Sequence, residues 1–173
     1  MTTAQIQYFE RLGDPYEFLK EQHLEGKQRV QRPSWDEYFL QIANLTAKRS
    51  PDAQTQCGCV ITLDNRILGT GYNGYPAGID DSILANTRPL KYPWFLHSEI
   101  NAIHNCTIKP INGTAYITGL PCLPCLLNMW QAGIRRVVTG KQASFMRDTD
   151  TEYEMNVRLF LEACKNQIKI EVL

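Results

Sequence analysis

From Ser34 onward the apolar positions recur at helical spacing. Phe39, Ile42, Ala43 and Thr46 share one face, and Ser34 with Glu37 three positions later has the form of an N-cap and its capping-box acid. A helix to about Arg49 is predicted. The pattern then shortens to the extended runs 59–63 and 66–70, which flank Asp64-Asn65, two residues suited to a tight turn. This hairpin is expected at the edge of the main sheet and beside it. Gly71-Tyr72-Asn73-Gly74-Tyr75-Pro76-Ala77-Gly78 ends the second strand in residues that no helix or strand interior tolerates. A linker of about twenty residues follows, longer than the ~12–15 of ordinary structureless connections, and such lengths are usually functional. A short helix over 80–86 relieves part of it.

Helical spacing resumes at His97 and runs to about Thr107 through Ile100 and Ile103. Next come a strand over 114–118, a helix over 123–131 stopped by Gly133, and a strand over 135–139. A last helix, capped by Thr149 or Asp150, is predicted to run to about Asn166 with Met155, Leu159, Phe160 and Ala163 on its buried face. A strand over 168–172 closes the chain. Strand-helix-strand crossovers are right-handed and join parallel strands, so residues 114–173 predict a three-stranded parallel unit. With the hairpin this becomes an α/β fold: a three-layer α-β-α sandwich around a five-stranded mixed sheet, forming a single domain over 1–173. Residues 1–32 are its N-terminal helical arm. Asp14-Pro15-Tyr16-Glu17 and Gly26 bracket a helix over about 15–25, which either packs against the domain or serves regulation or subunit contact.

Composition narrows the function. Eighteen basic and eighteen acidic residues cancel over 173 residues. A broad cationic surface for nucleic acid or for an anionic membrane is therefore not expected. A small anionic substrate, which needs only one or two local cations, is allowed. No leader-like start and no run of 18 apolar residues is seen, so the expectation is an intracellular, cytoplasmic protein with no membrane partner. Six cysteines in that setting point to metal binding or buried thiols rather than disulfides.

Two stretches carry the chemistry. His97-Ser98-Glu99 puts an imidazole and a carboxylate at one helix start, and Pro121-Cys122-Leu123-Pro124-Cys125 puts two thiols at another. His97, Cys122 and Cys125 read as three zinc ligands with the fourth position left to water, the mark of a catalytic rather than a closed structural site. Glu99 is spare, and is the candidate general acid and base. His104 reads as a packing residue. Cys57-Gly58-Cys59 reads as strand thiols in preference to a second metal pair with His23, and Trp35, Trp94 and Trp130 as core or contact aromatics.

The H-x-E and P-C-x-x-C spacing is the signature of zinc nucleobase deaminases. On those residues, from His97 to Ile103 and from Pro121 to Cys125, the chain resembles the cytidine deaminase superfamily. Gly71-Tyr72-Asn73-Gly74 with Pro76 and Gly78, and Tyr92-Pro93, make it similar to the deoxycytidylate deaminase branch. The resemblance spans about residues 34–140. It implies a cytidine deaminase-like fold and hydrolysis of dCMP to dUMP and ammonia, with attack at C4 of the ring and Glu99 moving protons to N3 and then to the amino group. It further implies that Asn73 contacts the sugar, with Ser98 beside it, and that Phe145 packs near the base where a tyrosine is the commoner residue. Family members are homohexamers activated by dCTP with Mg²⁺ and inhibited by dTTP. That places candidate effector contacts at Gly71, Tyr72, Asn73, Gly74, Arg88 and Lys91, while Arg49, Arg66, Arg88 and Lys91 are candidates for the substrate phosphate. The alternatives are a deaminase of another cytosine nucleoside or nucleotide, and a non-catalytic, zinc-stabilised nucleotide-binding module.

Overall fold

Ser34 opens helix α1 (Trp35–Ala47) with the expected capping box. The Glu37 amide donates to Ser34 Oγ at 3.2 Å, and the Ser34 amide donates to Glu37 Oε2 at 2.7 Å. The structure is a computed structural model that describes residues 31–140 and 151–173. Its contacts divide the chain into Met1–Arg32 and Pro33–Leu173, and the second unit is the subject here. The predicted helix over 15–25, the metal alternative at His23, the caps Thr149 and Asp150, and Phe145 lie outside the described residues.

Strands β1 (Gly58–Leu63) and β2 (Arg66–Tyr72) form the predicted hairpin, with Asp64 and Asn65 at φ +50° and +58° as a two-residue turn of the primed kind requires. Then follow α2 (Ser98–His104), β3 (Thr114–Ile117), α3 (Leu123–Ala132), β4 (Arg136–Thr139), α4 (Thr151–Ala163) and β5 (Lys169–Val172). The sheet order is β2-β1-β3-β4-β5. The strands β3, β4 and β5 run parallel, and β1 is antiparallel to both β2 and β3. The mixed five-stranded sheet and its parallel half are as the sequence predicts.

Alternation along the strands builds the three layers. Val60, Tyr116 and Val138 face α1, where they meet Phe39, Leu40 and Ala43. Cys59, Ile61, Ile117 and Val137 face the other way, into a larger core with Leu126, Met129 and Phe160. Helix α1 lies so close to β1 that a Cβ on Gly58 would stand 2.1 Å from the Ala43 carbonyl oxygen. The helix is also pinned by charge. Arg136 on β4 donates to both Asp36 oxygens at 2.7 and 2.8 Å, and the Tyr116 hydroxyl donates to Asp36 Oδ1 at 2.8 Å.

Two expectations are corrected. The segment predicted as a helix over 80–86 contains one 3₁₀ turn, Asp81–Ile83. In α4, Met155 and Leu159 are 57% and 56% exposed and Ala163 is exposed, so of the predicted stripe only Phe160 is buried. The buried face is instead Phe160 and Cys164, flanked by Val157 and Leu161, with the Phe160 ring edge-on to Trp130 of α3. Among the described residues no helix is long and apolar enough to cross a membrane.

Candidate active site

Helices α2 and α3 each bring a candidate ligand in at the residue that caps their N-terminus. His97 is the N-cap of α2 and Cys122 the N-cap of α3, both in extended backbone, and Cys125 lies within the first turn of α3. The two helices are seated by different means. Helix α2 rests on the backbone of β2, where a Cβ on Gly71 would stand 2.2 Å from the Ala102 nitrogen and 2.4 Å from the Ser98 oxygen. Gly69, two residues earlier, leaves the same space farther along the helix. The amides of Asn101 and Asn105 then donate to the carbonyls of Tyr72 and Thr70 at 2.8 and 2.9 Å. Just ahead of His97, Leu96 pairs with Gly74 through two backbone hydrogen bonds of 3.0 and 2.8 Å. Helix α3 is seated by apolar burial of Leu126 and Met129 and stopped at Gly133, φ +103°.

These seats bring three ligating atoms together. His97 Nδ1 lies 3.4 Å from both Cys122 Sγ and Cys125 Sγ, and all three atoms fall within 4.8 Å of one another. Zinc bonds of about 2.3 Å to sulfur and ~2.0–2.1 Å to nitrogen at a tetrahedral angle separate such atoms by about 3.6 Å. The donor set and its spacing therefore fit zinc, with three protein ligands. The Cys122 thiol is held well below its ordinary value by its hydrogen bonds with Cys125 and His97, while Cys125, as the partner of that bond, is pushed up.

Glu99 stands beside the triad and is not part of it. Its carboxylate is buried and accepts a 2.8 Å hydrogen bond at Oε2 from the Ser98 hydroxyl, itself fully buried. Burial raises the Glu99 carboxyl above its ordinary value, against the lowering effects of its own backbone amide, Ser98 and His97. Ser98, expected on the substrate side, is thus turned toward the carboxylate.

The other expected residues are placed as follows. Asn73 is buried; its Oδ1 accepts from the Cys57 amide at 2.7 Å, and its Nδ2 donates to Asp52 Oδ2 and to the Thr55 carbonyl at 3.0 and 2.9 Å. Both of its amide hydrogens are engaged, so toward a ligand it can only accept. Gly71 and Gly74 are covered and Tyr72 is half-buried. Lys91, a candidate for the effector and for the substrate phosphate, is buried and paired with Asp52. Arg49, Arg66 and Arg88 are exposed, and Arg88 donates to Thr55 Oγ1 at 2.8 Å. Cys57 and Cys59 are two positions apart, a spacing that shares one strand face. Among the described residues the metal-ligating cluster includes neither. Burial, and then the charge of Glu99, push Cys57 up to about 11. His104 is exposed and belongs to no ligating cluster.

Sequence reading missed Asp52, Gly69, Asn101 and Asn105. Asp52 left one local signal: it sits two and three residues before Gln54 and Thr55, whose amides it accepts, as short polar side chains do in turns.

A family model of the cytidine and deoxycytidylate deaminase zinc-binding region matches residues 33–141, a span that holds the whole triad and Glu99. The chain belongs to that family. The deoxycytidylate deaminase of Mus musculus is 36% identical over 146 residues, which is 79% of this chain and 79% of that one. The deoxycytidylate deaminase of Homo sapiens is 38% identical over 120 residues, 65% of this chain and 67% of its own. The crystal structure of the dCMP deaminase from the cyanophage S-TIM5 in apo form shares the fold. Its TM-score is 0.62 at 21% identity, covering 83% of this chain and all of that one.

Proposed function

We propose that the protein hydrolyses dCMP to dUMP and ammonia, with a catalytic zinc held by His97, Cys122 and Cys125. The observation that carries this is the triad, 3.4 Å from imidazole to each sulfur, with a buried carboxylate beside it that is not a ligand. Choice of dCMP among cytosine compounds is supported by relatives named deoxycytidylate deaminase at 36% and 38% identity. When bound, zinc supplies a water that ionises near neutrality. Glu99 would take one proton of the attacking water and pass it to N3 as C4 becomes tetrahedral, then take the second from the new C4 hydroxyl and deliver it to the departing amino nitrogen, leaving the ring carbonyl. Ser98, hydrogen-bonded to Oε2, fixes the carboxyl's orientation and leaves its remaining lone pairs for this traffic. The buried Asn73 Oδ1 has capacity for one more hydrogen bond, which suits a donating sugar hydroxyl.

The finer part of this reading covers activation by dCTP with Mg²⁺, inhibition by dTTP, a homohexamer, a cytoplasmic location, and one deaminase domain with residues 1–32 as its arm. Its support is the resemblance of the glycine-rich turn to the deoxycytidylate deaminase branch. Of the six candidate effector residues, Arg88 has its side chain exposed, so it is the leading contact for a triphosphate.

The test is ammonia release by the zinc-loaded protein from dCMP, CMP, deoxycytidine, dCTP and a cytosine oligonucleotide, each with and without dCTP–Mg²⁺ or dTTP. Turnover strongest on dCMP is expected. Glu99→Gln should lower kcat by about 10²–10⁴-fold while zinc stoichiometry is kept, since it removes a proton carrier and no ligand. Full activity in that variant would overturn the mechanism.

A further inference from the structure

Asp52 and Lys91 are 5% and 3% exposed and form an ion pair outside the metal-ligating cluster. We propose that this buried pair is a latch that sets the mouth of the active site: it fixes the Asn73 amide and the segment entering His97, and Lys91 acts as a positioning residue rather than a ligand of the nucleotide phosphate. The inference rests on the deaminase reading for its consequence on turnover, and on geometry alone for the latch.

Three stretches distant in sequence end on one carboxylate. The amides of Gln54 and Thr55 donate to Asp52 Oδ1 at 2.8 and 3.0 Å, Asn73 Nδ2 donates to Oδ2 at 3.0 Å, and Lys91 Nζ reaches both oxygens at 2.5 Å. A carboxylate has about four lone-pair sites, so Asp52 is saturated. Its charge also decides which way Asn73 points. With Nδ2 facing Asp52 and Oδ1 facing the Cys57 amide both contacts attract, whereas a flipped amide would set oxygen against carboxylate and nitrogen against a donor. The latch therefore makes Asn73 an acceptor toward any ligand.

The same pair controls the approach to His97. Lys91 lies in a turned segment whose backbone bonds join Thr87 to Lys91 and Lys91 to Trp94, and two residues on Leu96 pairs with Gly74, the neighbour of Asn73. Charge at residue 91 and backbone pairing at residue 96 thus hold both ends of the stretch that delivers the imidazole. An ammonium already bound to a carboxylate and closed off from solvent has no free face for a phosphate. Breaking one partner leaves the other charge buried and uncompensated, so the arrangement is held together or lost together.

The test uses Lys91→Met, Asp52→Asn and the double variant of the full chain, loaded with zinc. Hydrogen exchange is read at the Asn73, Gly74 and Leu96 amides, and kcat/KM is read on dCMP and on deoxycytidine. Each single change should speed exchange at those amides by about tenfold or more. Both should lower kcat/KM by a similar factor on the two substrates, up to the order of 10²-fold that a ~1 Å misplacement costs. The double variant should be no worse than the worse single one. If Lys91→Met fails to fold, Asp52→Asn keeps the side-chain shape and carries the same readouts. A loss confined to dCMP with exchange unchanged would make Lys91 a phosphate ligand and overturn the proposal, as would unchanged exchange and rates. If the unmodified protein turns over neither substrate, the deaminase reading fails, while the exchange measurements still decide the latch.

Discussion

The turn that carries the histidine and the turn that carries the cysteines meet at one point, yet they are held there by opposite means. Helix α3 is anchored as a core element, with Leu126 and Met129 buried, and its position follows from apolar volume. Helix α2 buries no large apolar side chain fully; its buried residues are Ser98, Glu99 and Ala102. It is placed by what β2 lacks, side chains at Gly69 and Gly71, and by amide clips and a buried ion pair at the strand's end. One half of the site is thus set by packing, the other by close backbone approach and polar contacts. That is a workable division, because the half carrying the buried carboxylate of Glu99 needs a polar setting, here the Ser98 hydroxyl, that an apolar anchor would not supply.

This contrast makes stability and site geometry separable. Met129→Ala should cost the most stability, about 2–5 kcal/mol as for other large-to-small changes in cores. The folded fraction should still bind zinc in full, because a complete turn separates Met129 from Cys125. Chemical denaturation together with zinc content checks both halves of that statement. Gly71→Ala should cost less, about 1–3 kcal/mol for overpacking. It should nonetheless disturb the site more, because the added Cβ meets backbone atoms of Ser98 and Ala102 at 2.4 and 2.2 Å and must push the start of α2 away. Weakened zinc retention with modest loss of stability is the expected result. If Gly71→Ala retained zinc as well as Met129→Ala, the two turns would not differ as described.

Acid gives the gentlest way to separate them. Burial tends to raise the Asp52 carboxyl, but Lys91 and the Gln54 and Thr55 amides outweigh it, and its value lies below the ordinary one. Arg136 likewise holds Asp36 low. A carboxyl with a depressed folded value contributes stability that is complete above its unfolded value, near ~3.9, and lost as pH falls through the folded value. Stability should therefore fall with pH below about 4, by less than ~1 kcal/mol from the partly solvated Asp36 pair. Exchange protection at Gly74 and Leu96 should fade before that at Met129, which is held among the buried apolar residues of the larger core. Urea midpoints and exchange at a series of pH values read both.

The order of elements was legible because local signals agree with the fold: the capping box at Ser34, the Asp64-Asn65 turn, the stop at Gly133, and the change of period between strands and helices. The metal triad was legible for a similar reason, since two short motifs contain all of its ligands. The phase of α4 was not. Met155 and Leu159 make one helical stripe, while Val157, Phe160, Leu161 and Cys164 make another, and only the position of α3 with Trp130 decides which is buried. The Asp52–Lys91 pair was not legible either, because its partners lie 39 positions apart, a pairing that no local period reveals.

The asparagine clips have a consequence for how copies of the chain can associate. An edge strand usually exposes a row of unpaired carbonyls on which a foreign strand can add. On β2 that row, at Leu68, Thr70 and Tyr72, is taken by the Thr107 amide at 3.2 Å and by the Asn105 and Asn101 side chains. The acceptors of the β2 edge are therefore engaged within the chain. A strand approaching the hairpin that frames the candidate site would find these acceptors already engaged, which disfavours association of copies through β2; among the described residues the opposite border of the sheet is β5.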